Sequence, residues 1–312
     1  MLTFPRHYGT LACFILMLVL FSVLLPGTFF TFRNLLNISQ QVSMLAVVAF
    51  GMTVVMAMGD FDLSAGAMAS LAGIVAAISF QATGSVTLGL IAALLMGLAG
   101  GALNGWLVSF LGILPFVATL GTLTIFGGLA FIISGGVTIF GAGIPAAFGL
   151  FARESLLGVP NLTVTAMIVL ATTWWLLEKR AFGRHLYAMG GGGEAARLAG
   201  VPVQRLKLAA FGMSGLCASV AGLMYVARVA SANPIQGSGL MLDAIAAVFL
   251  GMTMSRHGEP RVLNSLIGVL FLGVLGNGLT QLSVNSYVRD ILVGAIILAA
   301  VAPGSLDRLR RN

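Results

Sequence analysis

Charge is what this chain has least of. Lys and Arg number 16 and Asp and Glu nine in 312 residues, 8% in all, where soluble domains carry about 25%. So few charges cannot clothe a water-facing surface around a chain of this length, which excludes a soluble globular protein and leaves an integral membrane protein. Histidine (three) and cysteine (two) are almost as rare and widely separated, so no metal-ligand spacing can be written. Cys13 and Cys217 both fall in apolar stretches and read as buried small side chains. The sequence contains no Gly-x-x-x-x-Gly-Lys-Ser/Thr loop and no nucleophile elbow. No metal, cofactor or catalytic cluster is therefore expected, and any nucleotide energy must be handled by another polypeptide. The net charge of +7 does not point to nucleic acid, because the bases sit in short loops between apolar runs.

What the chain has in abundance is long apolar runs. A lipid-crossing helix needs about 20 mostly apolar residues. Candidates span residues 11–30, 42–59, 65–81, 86–110, 115–136, 162–178, 208–227, 240–255, 263–281 and 288–302, several of them short enough to be tilted, broken or partly re-entrant. The expected fold is thus all-α and polytopic, a single transmembrane domain over 1–312 with about ten spans. Arg6 and His7, the cluster from Lys179 to Lys207, Arg256 with Arg261, and Arg308, Arg310 and Arg311 all fall on one side if the chain starts in the cytoplasm and crosses ten times. Both termini are expected inside the cell. The longest outer segment, 137–161, is too short for a folded domain and reads as a lid, a docking surface or a connector. Trp174, Trp175 and Tyr187 read as membrane-interface anchors.

Three local patterns stand out. Gly97, Gly101 and Gly105 recur at fours, which puts them on one helical face and lets another helix approach, with Asn104 at the edge of that face. GDFDLSAG, 59–66, places Asp60 and Asp62 between two apolar runs. Such a carboxylate belongs either to a tight turn or to non-helical backbone buried in protein. Asp62 or Ser64 is expected to cap the helix starting near Ala65, with a proton or cation site as the competing reading. Asp243 is likewise compatible with a cap near the outer end of the eighth run. Lastly, GGGGEAARLAGVPVQRLK, 190–207, interrupts the apolar chain with glycine and charge. EAARLA is expected to form a short cytoplasmic helix between a flexible glycine entry and a stop at Gly200 and Pro202, with Glu194 at its N-terminus and Arg197 on its exposed side. From the residues alone this is a connector or a surface that another protein grips.

That segment, YAMGGGGEAARLAGVPV, resembles the cytoplasmic coupling segment of ABC-importer permeases of the ribose/xylose/galactose family. GMTVVMAMGDFDLSAG (51–66), LNGWLVSFLGILPFVATLGTLTIFGGLA (103–130) and GSGLMLDAIAAVFLGMT (237–253) resemble further blocks of the same family in the same order. The resemblance implies an ABC-importer permease fold in a bacterial inner membrane. It also implies a cytoplasmic ATPase that binds the ATP, a periplasmic solute-binding protein, a second permease subunit (the same chain or a paralogue), and a sugar as cargo. It assigns Glu194, Ala195, Ala196, Arg197 and Gly200 to the ATPase contact, and Gly59, Asp62, Ser64, Gly66 and Asp243 to a structural or gating motif. Low charge along the path fits a neutral sugar or polyol, and Asn104, Thr119, Thr122, Asn277 and Gln281 are the polar candidates for lining it, each also readable as a helix–helix contact. Two departures from the family pattern occur: Gly192 and Gly193 replace a usual asparagine, implying a looser approach to Glu194, and GMTMSRHGEPRV replaces a second glycine-rich block, setting Arg256, His257 and Arg261 near the coupling region. The rival reading is an ion-coupled secondary carrier for a small neutral solute, using Asp60 and Asp62 as its cation site.

Overall fold

A computed structural model describes residues 9–141, 144–255, 257–285, 287–288, 290–296 and 298. The expected sites at Arg6, His7, Arg256, Arg308, Arg310 and Arg311 lie outside the described residues, as does part of the tenth apolar run. Most helices follow the apolar runs, but α1 stops six residues before the end of the first run, α2 starts ten residues before the second, and α6 and α8 lie outside any run: α1 (Gly9–Leu24), α2 (Phe32–Ala57), α3 (Ala65–Thr83), α4 (Val86–Ser109), α5 (Pro115–Ser134), α6 (Ala146–Arg153), α7 (Asn161–Trp174), α8 (Ala181–Leu198), α9 (Val203–Val229), α10 (Leu240–Thr253) and α11 (Val262–Gln281). Trp175–Lys179 continues α7 as a π-helical turn. Seven of the described helices, α7 taken with that turn, are long and apolar enough to cross a membrane.

Burial sorts them into a centre and a rim. The most apolar windows of α2, α3 and α9 are 83%, 67% and 72% buried, whereas those of α4, α5 and α7 are only 28%, 28% and 22% buried. The outer faces of α4 and α5 carry Leu95, Trp106, Phe116, Ile125 and Ile132, all exposed, as lipid-facing surfaces are. The glycine stripe of α4 explains how it reaches the centre. A Cβ at Gly101 would stand 2.3 Å from the Phe211 carbonyl oxygen of α9, and one at Gly105 2.7 Å from the Leu208 Cα. On the facing helix, a Cβ at Gly215 would lie 2.1 Å from the Gly97 carbonyl oxygen. The two backbones touch, which is the close approach that small residues allow.

Several expectations are corrected. Cys13 is exposed on α1; only Cys217 is buried. Segment 137–161 is more than a connector: α6 packs its Phe148 ring 5.1 Å from Phe80 of α3, and β2 (Ser155–Leu156) and β3 (Val159–Pro160) pair as a small hairpin. β1 (Ile139–Phe140) pairs antiparallel with β4 (Ser231–Ala232), tying this segment to the end of α9. The eighth run is not a full span on its own. Between α9 and α10 the chain dips back along α3: the Gly237 N–H donates to Ser70 Oγ at 2.9 Å, and a Cβ on Gly237 would stand 2.1 Å from the Gly66 carbonyl oxygen. Ser70 lies about 20 Å along the axis from the far end of α3 at Thr83. The 14-residue α10 therefore starts part-way along the bundle, fed by non-helical backbone of which Pro234 and Gly237 are buried while Ile235, Ser238 and Gly239 are exposed.

Candidate functional site

Two places gather the residues that the sequence marks. The first is the corner between α2 and α3. Asp62 is 1% exposed, and its carboxylate accepts three hydrogen bonds: at Oδ1 from the Ser64 N–H (3.0 Å) and hydroxyl (2.6 Å), and at Oδ2 from the Ser214 hydroxyl of α9 (2.7 Å). Ser64 Oγ in turn accepts from Asn104 Nδ2 of α4 at 2.8 Å, and Asn104 Oδ1 accepts from the Thr122 hydroxyl of α5 at 2.6 Å. Thr119 Oγ1 donates to the Pro115 carbonyl and stands 3.5 Å from that of Phe61. Every donor in the run Thr122, Asn104, Ser64 points towards the Asp62 carboxylate, an alignment in which each bond polarises the next. Residues 18 to 152 positions apart are thus joined at a point where α3, α4, α5 and α9 meet.

This arrangement corrects the cap reading. Ser64 occupies the N-cap of α3, but its side chain makes no capping bond, and Asp62 holds Ser64 rather than the helix's own first N–H groups. Asp60, next to it, pairs with Lys207 Nζ at 2.7 Å. Burial pushes the Asp60 carboxyl up from its ordinary value, and the hydrogen bond and charge of Lys207 oppose that. Ser214 escaped the sequence reading: a serine in an apolar helix carries no signal of its own until the fold sets it against a carboxylate.

The second place is the segment 190–207. Residues 194–198 form the short helix that the sequence leads one to expect: α8 is two helical pieces meeting at a kink, the first running from Ala181 and the second ending at Leu198. The break between the two pieces is Gly192, which alone leaves helical geometry (φ 172°, ψ 88°). Gly190 is where glycine is required, since a Cβ there would stand 2.5 Å from the Ala57 carbonyl oxygen at the end of α2. Beyond the break Glu194 and Arg197 pair at 2.7 Å with both side chains about two-thirds exposed (69% and 68%), Ala195 is exposed, and Ala196 is buried. The helix ends in a Schellman motif. Gly200, at φ +83°, donates its N–H to the Arg197 carbonyl (3.0 Å), and the Val201 N–H goes to the Ala196 carbonyl (3.0 Å). Leu198, 81% exposed, is left on the surface beside them.

The base of this element is fastened by residues that the sequence reading treated otherwise. The Tyr187 hydroxyl, expected at the membrane interface, donates to the Pro260 carbonyl at 2.9 Å and stands 3.3 Å from Glu178. Burial, and then the Glu178 charge, push its phenol up. Arg261 pairs with Glu178 (3.5 Å) and Glu259 (3.3 Å), so the departure from the family pattern at 255–261 is a clasp between the π-helical turn and the start of α11. Trp174 and Trp175 lie under Lys179 and Arg180, with 5.1 and 3.8 Å from cation to ring centroid.

The polar path candidates divide. Asn104, Thr119 and Thr122 belong to the Asp62 network, while Asn277 and Gln281 belong elsewhere. Asn277 exchanges amide bonds with Asn34 of α2 (3.0 and 3.2 Å), and Gln281 donates to Asn277 at 2.8 Å. Asp243 is in the first turn of α10, whose N-cap is Gly239, so it is not the cap. Among the described residues no three His, Cys, Asp or Glu side chains gather as a metal site would require.

Residues 34–301 match the family described as branched-chain amino acid transport system / permease component. The ribose import permease protein RbsC of Bacillus subtilis (strain 168) is 38% identical over 96% of this chain and 91% of its own length. The D-allose transport system permease protein AlsC of Escherichia coli (strain K12) is 34% identical over 98% and 93%. The L-arabinose transport system permease protein AraH of the same organism is 36% identical over 95% and 89%. A solved metal-chelate-type ABC transporter in an inward-facing conformation shares the fold at a TM-score of 0.58 and 14% identity, over 94% of this chain and 98% of that one. With the family matched over most of its length and three sugar permeases aligned almost end to end, this chain belongs to the multi-pass membrane permease components of ABC-type importers.

Proposed function

We propose that this chain forms the transmembrane pathway of an ATP-driven importer for a monosaccharide or sugar-like polyol, with ATP hydrolysis in a separate cytoplasmic subunit and delivery by a periplasmic binding protein. The observation that carries the reading is the near full-length identity of 34–38% to permeases named for ribose, allose and arabinose. Geometry supports a mechanical role for 190–200. The piece beyond Gly192 is exposed, capped by Gly200, and seated through Gly190 on the end of α2. A push on that piece would bear on Ala57 and, through Lys207 and Asp60, on the α2–α3 corner. Glu194, Arg197 and Leu198 supply a contact for the ATPase; they do no chemistry. The carrier reading has less to stand on, because Asp60 is held by Lys207 and Asp62 by Ser64 and Ser214.

The test is uptake of labelled ribose, allose and arabinose by cells that carry this chain together with an ABC ATPase and a periplasmic sugar-binding protein. Uptake is expected to stop on ATP depletion and to survive collapse of the ion gradient. Glu194→Ala with Arg197→Ala should leave membrane insertion unchanged while uncoupling ATP hydrolysis from uptake. Uptake that follows the ion gradient, or a double variant with wild-type coupling, would sink the proposal.

A further inference from the structure

At the end of the bundle opposite residues 190–207, a cavity of about 330 Å³ opens among α2, α9, α10 and α11. Its wall is unlike the rest of this apolar chain: Gln41, Tyr225, Arg228, Asp243, Asn277 and Thr280 all line it. Gln41 and Thr280 are exposed and form its mouth, while Leu45 and Leu272 are buried and form its floor. Ordinary helix chemistry explains the two charges one at a time, since Arg228 sits in the last turn of α9 and Asp243 in the first turn of α10, each where the helix dipole favours it. Both of them face one space.

The depth of that space matters. α10 begins part-way along the bundle because the chain before it folds back along α3, so Asp243, half-buried in its first turn, is brought to the cavity wall while Leu242 beside it faces outward. A half-length helix that starts within the membrane after irregular backbone is how transport proteins of other folds build solute sites. Ionisable side chains half-buried among apolar helices are expensive and mark sites of function. The wall also states its preference. One Arg and one Asp give it no net charge, amides and hydroxyls offer both donors and acceptors, and the leucines offer a surface for C–H groups. A neutral ring bearing several hydroxyls matches all three. The volume is at the small end of the roughly 300–1,000 Å³ of ligand pockets, which suits a solute of about a dozen heavy atoms.

We propose that this cavity is a binding site for a small, neutral, hydroxyl-rich solute, formed within a single subunit and opening at Thr280. The proposal rests on the importer reading only for the choice of test sugars. The experiment uses the full chain purified in lipid nanodiscs, with Cys13→Ser removing the exposed native thiol. Thr280→Cys at the mouth is labelled with a neutral maleimide, and Leu157→Cys, on an exposed loop, serves as a control. D-ribose, D-allose or L-arabinose is expected to slow labelling at 280 and leave labelling at 157 unchanged, while glycine betaine at equal osmolality slows neither. Arg228→Gln and Asp243→Asn should each raise the sugar concentration needed for half-protection about tenfold or more, the worth of one hydrogen bond to a charged group. Gln41→Ala, at the rim, repeats the test without touching a charge and should raise that concentration severalfold. Labelling at 280 that no sugar slows, that betaine slows equally, or that all three variants leave as protected as before overturns the proposal. Sugar uptake with an unprotected cavity would defeat this site and leave the importer reading standing; protection without ATP-driven uptake would do the reverse.

Discussion

At the scale of single residues, the chain's few polar groups gain their meaning from what they face. Asp62 is a buried carboxylate whose cost is met by three donors, two of them from Ser64. Asp62→Ala would strand the Ser64 N–H, the Ser64 hydroxyl and the Ser214 hydroxyl, each at about 1–3 kcal/mol for a buried group left without a partner. Asp62→Asn keeps an oxygen for Ser64 and offers an N–H to the Ser214 hydroxyl, which can rotate to accept it. Thermal unfolding in detergent should therefore show a large loss for the alanine variant and a small one for asparagine. Equal loss in the two would mean that the negative charge itself, rather than its hydrogen-bonding oxygen, organises the corner. Asn104, Thr119 and Thr122 could be picked from the sequence as polar groups among apolar neighbours, but their common target could not. Hydrogen bonds between positions 18 to 152 residues apart leave no local pattern, and Ser214 lacked even the prompt of an unusual neighbour.

At the scale of helices, periodicity told more. The apolar runs fixed the positions of most spans, and the spacing of Gly97, Gly101 and Gly105 announced a helix-to-helix seam whose partner, α9, only the fold could name. The glycines of α5 provide the contrast. Gly127 has no neighbour within 4 Å of where a Cβ would stand, whereas at Gly101 the Phe211 carbonyl oxygen is 2.3 Å away. Gly101→Ala should cost about 1–3 kcal/mol, because backbone and not a mobile side chain must retreat. Gly127→Ala, in an open helix interior, should stabilise by about 0.5–1 kcal/mol through the entropy that glycine loses on folding. Melting temperatures of the two purified variants moving in opposite directions would bear this out; a Gly101→Ala variant as stable as the parent would show that α4 and α9 can part. What periodicity missed were elements whose ends depend on tertiary contact. The start of α10 is set by Gly237 lying against Gly66 and Ser70, and the first piece of α8 runs on to Gly190, which lies against Ala57 just before the kink at Gly192. Composition alone makes the first look like one span, and for the second it marks the glycines as a break without saying which of them bends.

At the scale of the whole molecule, the two ends of the bundle differ in chemistry, and this difference predicts orientation. Contacts place Lys179, Arg180, Arg184, Arg197, Arg205, Lys207 and Arg261 at one end: Tyr187 reaches Pro260, Lys207 reaches Asp60, and Gly190 meets Ala57. The opposite end holds α6 and the β2–β3 hairpin, fastened where Gln40 donates to the Ala152 carbonyl at 2.9 Å, with Arg33, Arg153 and Arg228 the bases of its described helices. Bases accumulate on the cytoplasmic side of membrane proteins because moving them across is disfavoured, so the first end should face the cytoplasm and both termini with it. Leu157 (98% exposed) and Leu198 (81% exposed) mark the two ends without lining either the cavity or the Asp62 network. In a Cys13→Ser background, Leu157→Cys should react with a membrane-impermeant maleimide on intact spheroplasts, and Leu198→Cys only after the membrane is opened. Bound ATPase should then slow labelling at 198 and leave 157 unaffected. If 198 were the residue labelled from outside, the orientation would be reversed, and with it the assignment of residues 190–200 to an ATPase contact; if 198 were labelled from inside but never shielded, the orientation would hold and the contact would lie elsewhere.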